Sequence, residues 1–80
     1  MPIDRIELLA RLLREDATEQ ELSGAELARR SGLPQTGIAR LLRGDGDVTV
    51  STLLGVLGAL GRDLRWLHRQ GVTPVSGESV

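Results

Sequence analysis

One short stretch, residues 35–43, carries amide, hydroxyl and guanidinium groups that could hydrogen-bond to the base edges and phosphates of a DNA duplex. A major groove is wide enough to accept one α-helix. The stretch can work in this way only if its neighbours hold it as a helix with these groups outward. Its outward positions would then be Gln35, Thr36, Gly37, Arg40 and Arg43.

The surrounding residues, 23–44, predict two short helices joined by a tight turn. Ser23 and Glu26 have the spacing of a capping box, in which each side chain satisfies a free N–H group of the first helical turn. Gly32 can end the first helix in the left-handed conformation, and Pro34 then forces the chain to turn. The second helix runs to the glycine that closes the stretch. A helix, a turn with a glycine and a second helix form the helix-turn-helix pattern.

Side-chain size and local charge favour this interpretation, although many helical domains contain such a pair without binding anything. Ala28 is small enough to let the two helices approach, and Ile38 can fill the angle between them. Residues 23–44 hold four arginines against one acid, Glu26. The whole chain has a net charge of −1, which counts against nucleic-acid binding. A basic face on an acidic body can still bind phosphate.

Composition indicates one small helical domain. The chain has 80 residues, of which 40% are hydrophobic, and its one aromatic residue is Trp66. The core must therefore consist of Leu, Val, Ile and Ala, and oligomerisation would supplement so small a core. The lack of cysteine excludes disulfides and thiol chemistry. We expect a cytoplasmic protein, since no signal segment or membrane span is apparent.

Three further helices are predicted around the central pair. The first starts near Asp4, ends at about Glu15, and is followed by an acidic connection over residues 16–22. The fourth is capped by Thr49 and covers residues 50–60. Its apolar stripe is predicted to be Val50, Leu53, Leu54, Leu57 and Leu60.

Two glycines interrupt the fourth helix, and each costs up to about 1 kcal/mol relative to alanine. Gly55 and Gly58 therefore indicate close packing, against either the same chain or a partner. Asp63 can cap a last helix over residues 64–70, although an alternation of apolar residues also allows a short strand there. We expect a single domain over residues 1–71 and a flexible tail over residues 72–80.

No group of residues supports catalysis, a cofactor or a metal site. His68 is the only histidine and has no cysteine or ligand-spaced partner. The acidic spacing of Asp45 and Asp47 is that of a calcium loop, but the remaining ligands are missing. We therefore expect a protein that is not an enzyme.

The ordered set of residues from 22 to 68 resembles the lambda-repressor/Cro-type, or XRE-like, helix-turn-helix family. The resemblance rests on the Leu27-Ala28 pair, the turn glycine, the isoleucine of the second helix and the Arg43-Gly44 exit. A Thr-Leu-Leu run that ends in Ala-Leu-Gly follows at residues 52–61. The resemblance implies a compact all-α domain of five helices that binds an inverted-repeat DNA operator as a homodimer and regulates transcription, most often as a repressor.

The resemblance also implies roles for individual residues. Base reading would fall to Gln35, Thr36, Gly37 and Arg40. Contacts to the DNA backbone would fall to Ser23, Arg29, Arg30 and Arg43. We expect the dimer contact on the last two helices, at Gly55, Gly58, Leu64 and Trp66.

Two departures from the family pattern leave a second hypothesis open. Gly24 stands where the family often has a glutamine that braces the reading residues, and Leu42 replaces a glutamate that pairs with an arginine of the first helix. The alternative is a protein-interaction module of the same fold that has lost DNA binding. A regulator of this size could also be the antitoxin of a toxin–antitoxin pair, with a cognate toxin as its partner.

Overall fold

The computed structural model describes residues 5–45 and 48–72, and within these ranges the chain forms five α-helices and no strand. The prediction of an all-α, five-helix fold is confirmed. Residues 64–69, for which a short strand was the alternative, form the last helix. The helices are α1 (Ile6–Glu19), α2 (Gly24–Ser31), α3 (Gln35–Arg43), α4 (Val50–Ala59) and α5 (Leu64–Arg69).

Helix α1 is one turn longer than predicted. Residues 16–19, assigned to an acidic connection, continue the helix because Asp16 and Ala17 are buried against the rest of the domain. The predicted cap, Asp4, lies outside the described residues, and Arg5 occupies the N-cap position. Leu8 and Leu12 pack against the core beside the main apolar stripe, so α1 buries a wide face.

The end of α1 is a Schellman motif built without glycine. The Leu22 N–H donates to the Ala17 carbonyl at 2.8 Å, and the Glu21 N–H donates to Thr18 at 3.0 Å. Glu21 adopts the left-handed conformation with φ 59°. The same motif ends α4, where Gly61 takes that position with φ 74°. The sequence prediction ended α1 too early because no glycine marks this end.

Helices α2 and α3 form the predicted pair. The Ser23 hydroxyl accepts the Glu26 N–H at 3.1 Å, and Gly32 ends α2 in the left-handed conformation. The second half of the capping box does not form, because the Glu26 carboxylate pairs with Arg29 and Arg30 instead. Ile38 is fully buried, as expected for the residue between the two helices.

The apolar stripe of α4 differs from the prediction. Leu53 and Leu57 are buried as expected, and Leu60 is buried just after the helix. Val50 and Leu54 are instead 51% and 45% exposed. Val56, which was not predicted to face the core, is fully buried. Because most residues of α4 are apolar, their spacing does not indicate which face of the helix packs against the core. The core consists of Leu9, Leu13, Ala17, Leu27, Ile38, Leu41, Val48, Leu53, Val56, Leu57, Leu60, Leu67 and Val72.

The glycine at position 55 allows a close approach within the same chain. A Cβ atom there would lie 2.6 Å from Leu33 Cδ1 and 3.6 Å from Ser31 Cβ, so the end of the Leu33 side chain would have to move to admit it. Helix α4 therefore crosses close to the turn between α2 and α3 at this glycine. A Cβ on Gly58 would meet nothing within 4 Å.

The connection between α4 and α5 is joined to α1 by a partly buried polar network. The Asp16 carboxylate, 6% exposed, receives two hydrogen bonds from Arg62 at 2.8 and 3.1 Å and one from Gln20 Nε2 at 2.9 Å. The same Gln20 amide donates to the Leu60 carbonyl. The hydrogen bonds to Asp16 raise the pKa of the Arg62 guanidinium further above its usual range. The sequence had instead placed Asp16 and Gln20 in an acidic connection.

The packed domain extends beyond the predicted boundary at residue 71. Val72 is fully buried, and its N–H donates to the Leu67 carbonyl at 3.1 Å. The predicted flexible segment from residue 73 onward lies outside the described residues. No helix in the described ranges is long and apolar enough to cross a membrane.

The left-handed glutamate predicts a stabilising substitution. Glu21→Gly should raise the free energy of unfolding by roughly 0.5–1 kcal/mol, because the Cβ strain of this conformation exceeds the entropy cost of glycine. Thermal unfolding monitored by circular dichroism measures the change. Glu19→Gly, two residues earlier inside the helix, is the matched control and should lower stability by a similar amount. Equal destabilisation by both would contradict the strain at Glu21.

Candidate nucleic-acid interface

Helix α3 turns its polar side outward and its apolar side inward. Ile38 and Leu41 are buried, whereas Gln35, Thr36 and Arg40 are exposed. The helix starts after Pro34, whose φ of −62° suits the entry into a helix and whose side chain makes no cap hydrogen bond. Of the residues predicted to face outward, Gln35, Thr36, Arg40 and Arg43 are therefore exposed, and Gly37 is partly buried.

Helix α1 holds the C-terminal end of α3. The Arg14 guanidinium donates to the carbonyl of Leu42. Leu42 stands at the position where the family has a glutamate. The Leu42 side chain packs against the core. The chain then passes close to α1 at Gly44, where a Cβ would lie 3.5 Å from Ala10 Cβ. A backbone carbonyl thus replaces the missing carboxylate as the partner of the arginine.

The first residue of α3 lies against the N-terminus of α2. A Cβ on Gly24 would lie 3.7 Å from Gln35 Nε2, an ordinary van der Waals contact. Because Gly24 has no side chain, nothing at that position can hydrogen-bond to the Gln35 amide. The side-chain contact that a glutamine at position 24 would make with the first residue of α3 is therefore missing, as the sequence predicts.

Arg40 is the arginine of α3 with no ion pair in the described parts of the chain. It borders a small pocket of about 140 Å³ between α3 and the start of α4. Gly37 lies on the same pocket, together with Asp45 and the hydroxyl-bearing Thr49 and Thr52. The Thr49 hydroxyl accepts the Thr52 N–H at 3.1 Å and so caps α4, as predicted.

The predicted backbone-binding arginines of α2 are both paired with one glutamate. Arg29 contacts the Glu26 carboxylate, and Arg30 Nε lies 3.4 Å from the same oxygen. The hydrogen bond from Arg29 is the main reason that the pKa of the Glu26 carboxyl is lowered, and Arg30 adds to it. Glu26 is therefore ionised at neutral pH and offsets part of the positive charge on this side of the domain.

The other two predicted backbone contacts are also occupied within the chain. Arg43 Nε lies 3.0 Å from the Asp45 carboxylate, with both side chains more than half exposed. The Ser23 hydroxyl caps α2. Such exposed pairs contribute little energy, so a phosphate can replace the carboxylate. The pairing of Asp45 was missed, although an acid two residues after Arg43 is visible in the sequence.

The predicted dimer residues occupy different environments. The close approach at Gly55 is made by the same chain, whereas Gly58 is exposed and open. Leu64 is 43% exposed and shares a groove with Leu54 and Gly58. The Trp66 ring is half-buried, with the Arg62 guanidinium 4.9 Å from its centre.

The described residues contain no group of three His, Cys, Asp or Glu side chains that could hold a metal ion.

A family model described as helix-turn-helix, of the Cro/C1 or XRE-like type, matches residues 11–67. That range covers α1 from its second turn through the first part of α5. Comparison with curated proteins and with solved structures returned no match.

Because Glu26 pairs with two arginines, removal of its negative charge is predicted to increase the affinity for DNA. Glu26→Gln should raise the affinity for duplex DNA of any sequence, roughly three- to tenfold at low salt, because Arg29 and Arg30 become available to phosphates. The slope of affinity against salt concentration should become steeper. Glu15→Gln is the matched control, since Glu15 pairs with an α1 arginine at 3.9 Å. Equal effects of the two substitutions would show that only net charge matters.

Proposed function

Because the chain belongs to the Cro/C1-type, XRE-like helix-turn-helix family, we propose that it is a sequence-specific DNA-binding regulator of transcription. It binds an inverted-repeat operator as a homodimer and acts as a repressor in the cytoplasm. The observation that carries the proposal is the outward face of α3, where Gln35, Thr36 and Arg40 are exposed together above a buried Ile38 and Leu41.

The side chains on this face suit base recognition. The Gln35 amide can bond adenine through two hydrogen bonds, and the Arg40 guanidinium can bond guanine in the same manner. The Thr36 methyl group can contact thymine. Gly37 adds no side chain, so it lets the duplex approach the helix surface. Arg43, the α2 arginines and the α2 N-terminus at Ser23 can contact phosphates on either side.

Selection of bound duplexes from a random DNA pool tests the proposal. At low salt we expect enrichment of an inverted repeat whose half-sites place two α3 helices about 34–36 Å apart. Repeating the selection at higher salt separates base recognition from charge attraction, because phosphate contacts weaken with salt. A pool that enriches no sequence at either salt concentration would contradict sequence-specific binding.

Two arginines of α3 should behave differently when they are replaced. Arg40→Ala should cost about 1–3 kcal/mol of binding free energy on the preferred operator and relax specificity at one base pair. Arg43→Ala should weaken binding to all sequences alike and flatten the salt dependence. Fluorescence anisotropy with operator and scrambled duplexes measures both. If Arg40→Ala weakens both duplexes equally, Arg40 contacts phosphate and does not read a base.

The proposed dimer surface lies on α4 and α5. Leu54, Gly58 and Leu64 form an apolar groove there, with Trp66 on the neighbouring helix. Gly58→Arg should separate the dimer, because it places a long charged side chain where a second copy would pack. The helix itself tolerates arginine, so the monomer should stay folded. Gly58→Ala is the control and should remain dimeric in analytical ultracentrifugation. A fully dimeric Gly58→Arg protein would place the contact elsewhere.

A protein-interaction module of the same fold is the second candidate. Carboxylates pair with Arg29, Arg30 and Arg43, and the net charge of −1 gives little general attraction to DNA. The DNA selection distinguishes the two functions, since the module would enrich nothing. The role of antitoxin adds a cognate toxin to the first function. Rescue of growth by this chain, when a toxin gene beside its own is expressed, would support that role.

A further inference from the structure

A second basic surface lies on α5, separate from the reading helix. Leu64, Arg65, His68 and Arg69 line one shallow groove of about 470 Å³, which we call the α5 groove. Arg65 and Arg69 are exposed and one helical turn apart, so both guanidinium groups stand on the same side of the helix. Neither is used in the proposed reading of DNA by α3.

The charges of the α5 groove lack acidic partners in the structure. Carboxylates pair with the other arginine-rich sites: Glu26 on α2, Asp45 after α3 and Asp16 beneath Arg62. Within the described ranges, no ion pair involves Arg65 or Arg69. The nearest acid in sequence, Asp63, accepts the Trp66 N–H as the cap of α5. Two like charges at this spacing repel each other, so an acidic partner would stabilise the helix.

The groove is also apolar, which distinguishes it from a phosphate-binding surface. Leu64 is 43% exposed and is one of three large hydrophobic residues exposed in the described parts of the chain. A DNA backbone can pair with the arginines but offers no apolar group to cover a leucine. An acidic polypeptide segment with an apolar side chain can do both, because ion pairs and burial of Leu64 would form together.

We propose that the α5 groove docks an acidic segment of a partner protein, whose carboxylates pair with Arg65 and Arg69 and whose apolar side chain covers Leu64. The bonds of Asp16 with Arg62 join α1 to the connection that precedes α5, and the Arg62 guanidinium lies over the Trp66 ring of α5. The proposal does not depend on DNA binding. It shares Leu64 and Arg65 with the groove of the proposed dimer surface, whereas His68 and Arg69 line the α5 groove alone.

A labelled peptide of glutamate, alanine and leucine tests the proposal on the full chain. Fluorescence anisotropy should show salt-sensitive binding that Arg65→Glu/Arg69→Glu weakens by about tenfold. Arg11→Glu, a 61% exposed arginine side chain on α1, is the control for a single charge reversal and should bind as the original chain does. Each single reversal in the groove is compared with it. Arg65→Gln/Arg69→Gln repeats the test without new repulsion, and circular dichroism checks that each variant is folded.

Two further probes separate the proposed partner from its alternatives. A peptide with serine in place of leucine should bind more weakly, because it cannot cover Leu64. A duplex of random sequence should lose no more affinity in the groove variants than in Arg11→Glu. The proposal is overturned if the original chain does not bind the peptide, if the control reversal is equally harmful, or if the serine peptide binds as tightly. Loss of duplex binding alone would assign the groove to DNA phosphates.

Discussion

The buried carboxylate of Asp16 is the interaction on which the arrangement of the helices depends. A carboxylate that is 6% exposed is costly unless it is paired and hydrogen-bonded, and Arg62 and Gln20 supply three donors. Through Gln20 the same group is linked to the carbonyl of Leu60 at the end of α4. Arg62 then stacks over Trp66 of α5. One acid on α1 thus links this helix to the end of α4 and to the connection before α5, and removal of Arg62 would leave a buried carboxylate without its ion pair.

Helix α1 also positions the opposite side of the domain. Arg14 bonds the carbonyl of Leu42, and Gly44 allows the end of α3 to approach Ala10. Helix α1 therefore contacts both the end of α3 and the connection that precedes α5. The turn that precedes α3 is packed under Gly55 of α4, where a Cβ would require the end of the Leu33 side chain to move.

The charge pattern of the DNA-facing side favours discrimination over general attraction. Glu26 offsets two arginines, and Asp45 offsets a third, whereas Arg40 has no ion pair in the described ranges. Phosphate contacts raise the affinity for every sequence, whereas base contacts raise it for one. If Arg40 contacts a base, a domain with few unpaired cations around it would bind all DNA sequences more weakly, but it would keep its preference for the sequence that contains that base.

Local signals in the sequence determined most of the helix-turn-helix itself. Ser23, Gly32, Pro34 and Gly44 act through backbone conformation and capping, which depend on residues a few positions away, and the bounds of α2 and α3 agree with the prediction. The buried position of Ile38 follows from helical periodicity. Tertiary structure alone decided that Asp16 pairs with Arg62, 46 residues away, and that Val50 and Leu54 of α4 face outward. These features join residues distant in the chain or depend on which face of an apolar helix meets the core, and one sequence carries no local signal for either.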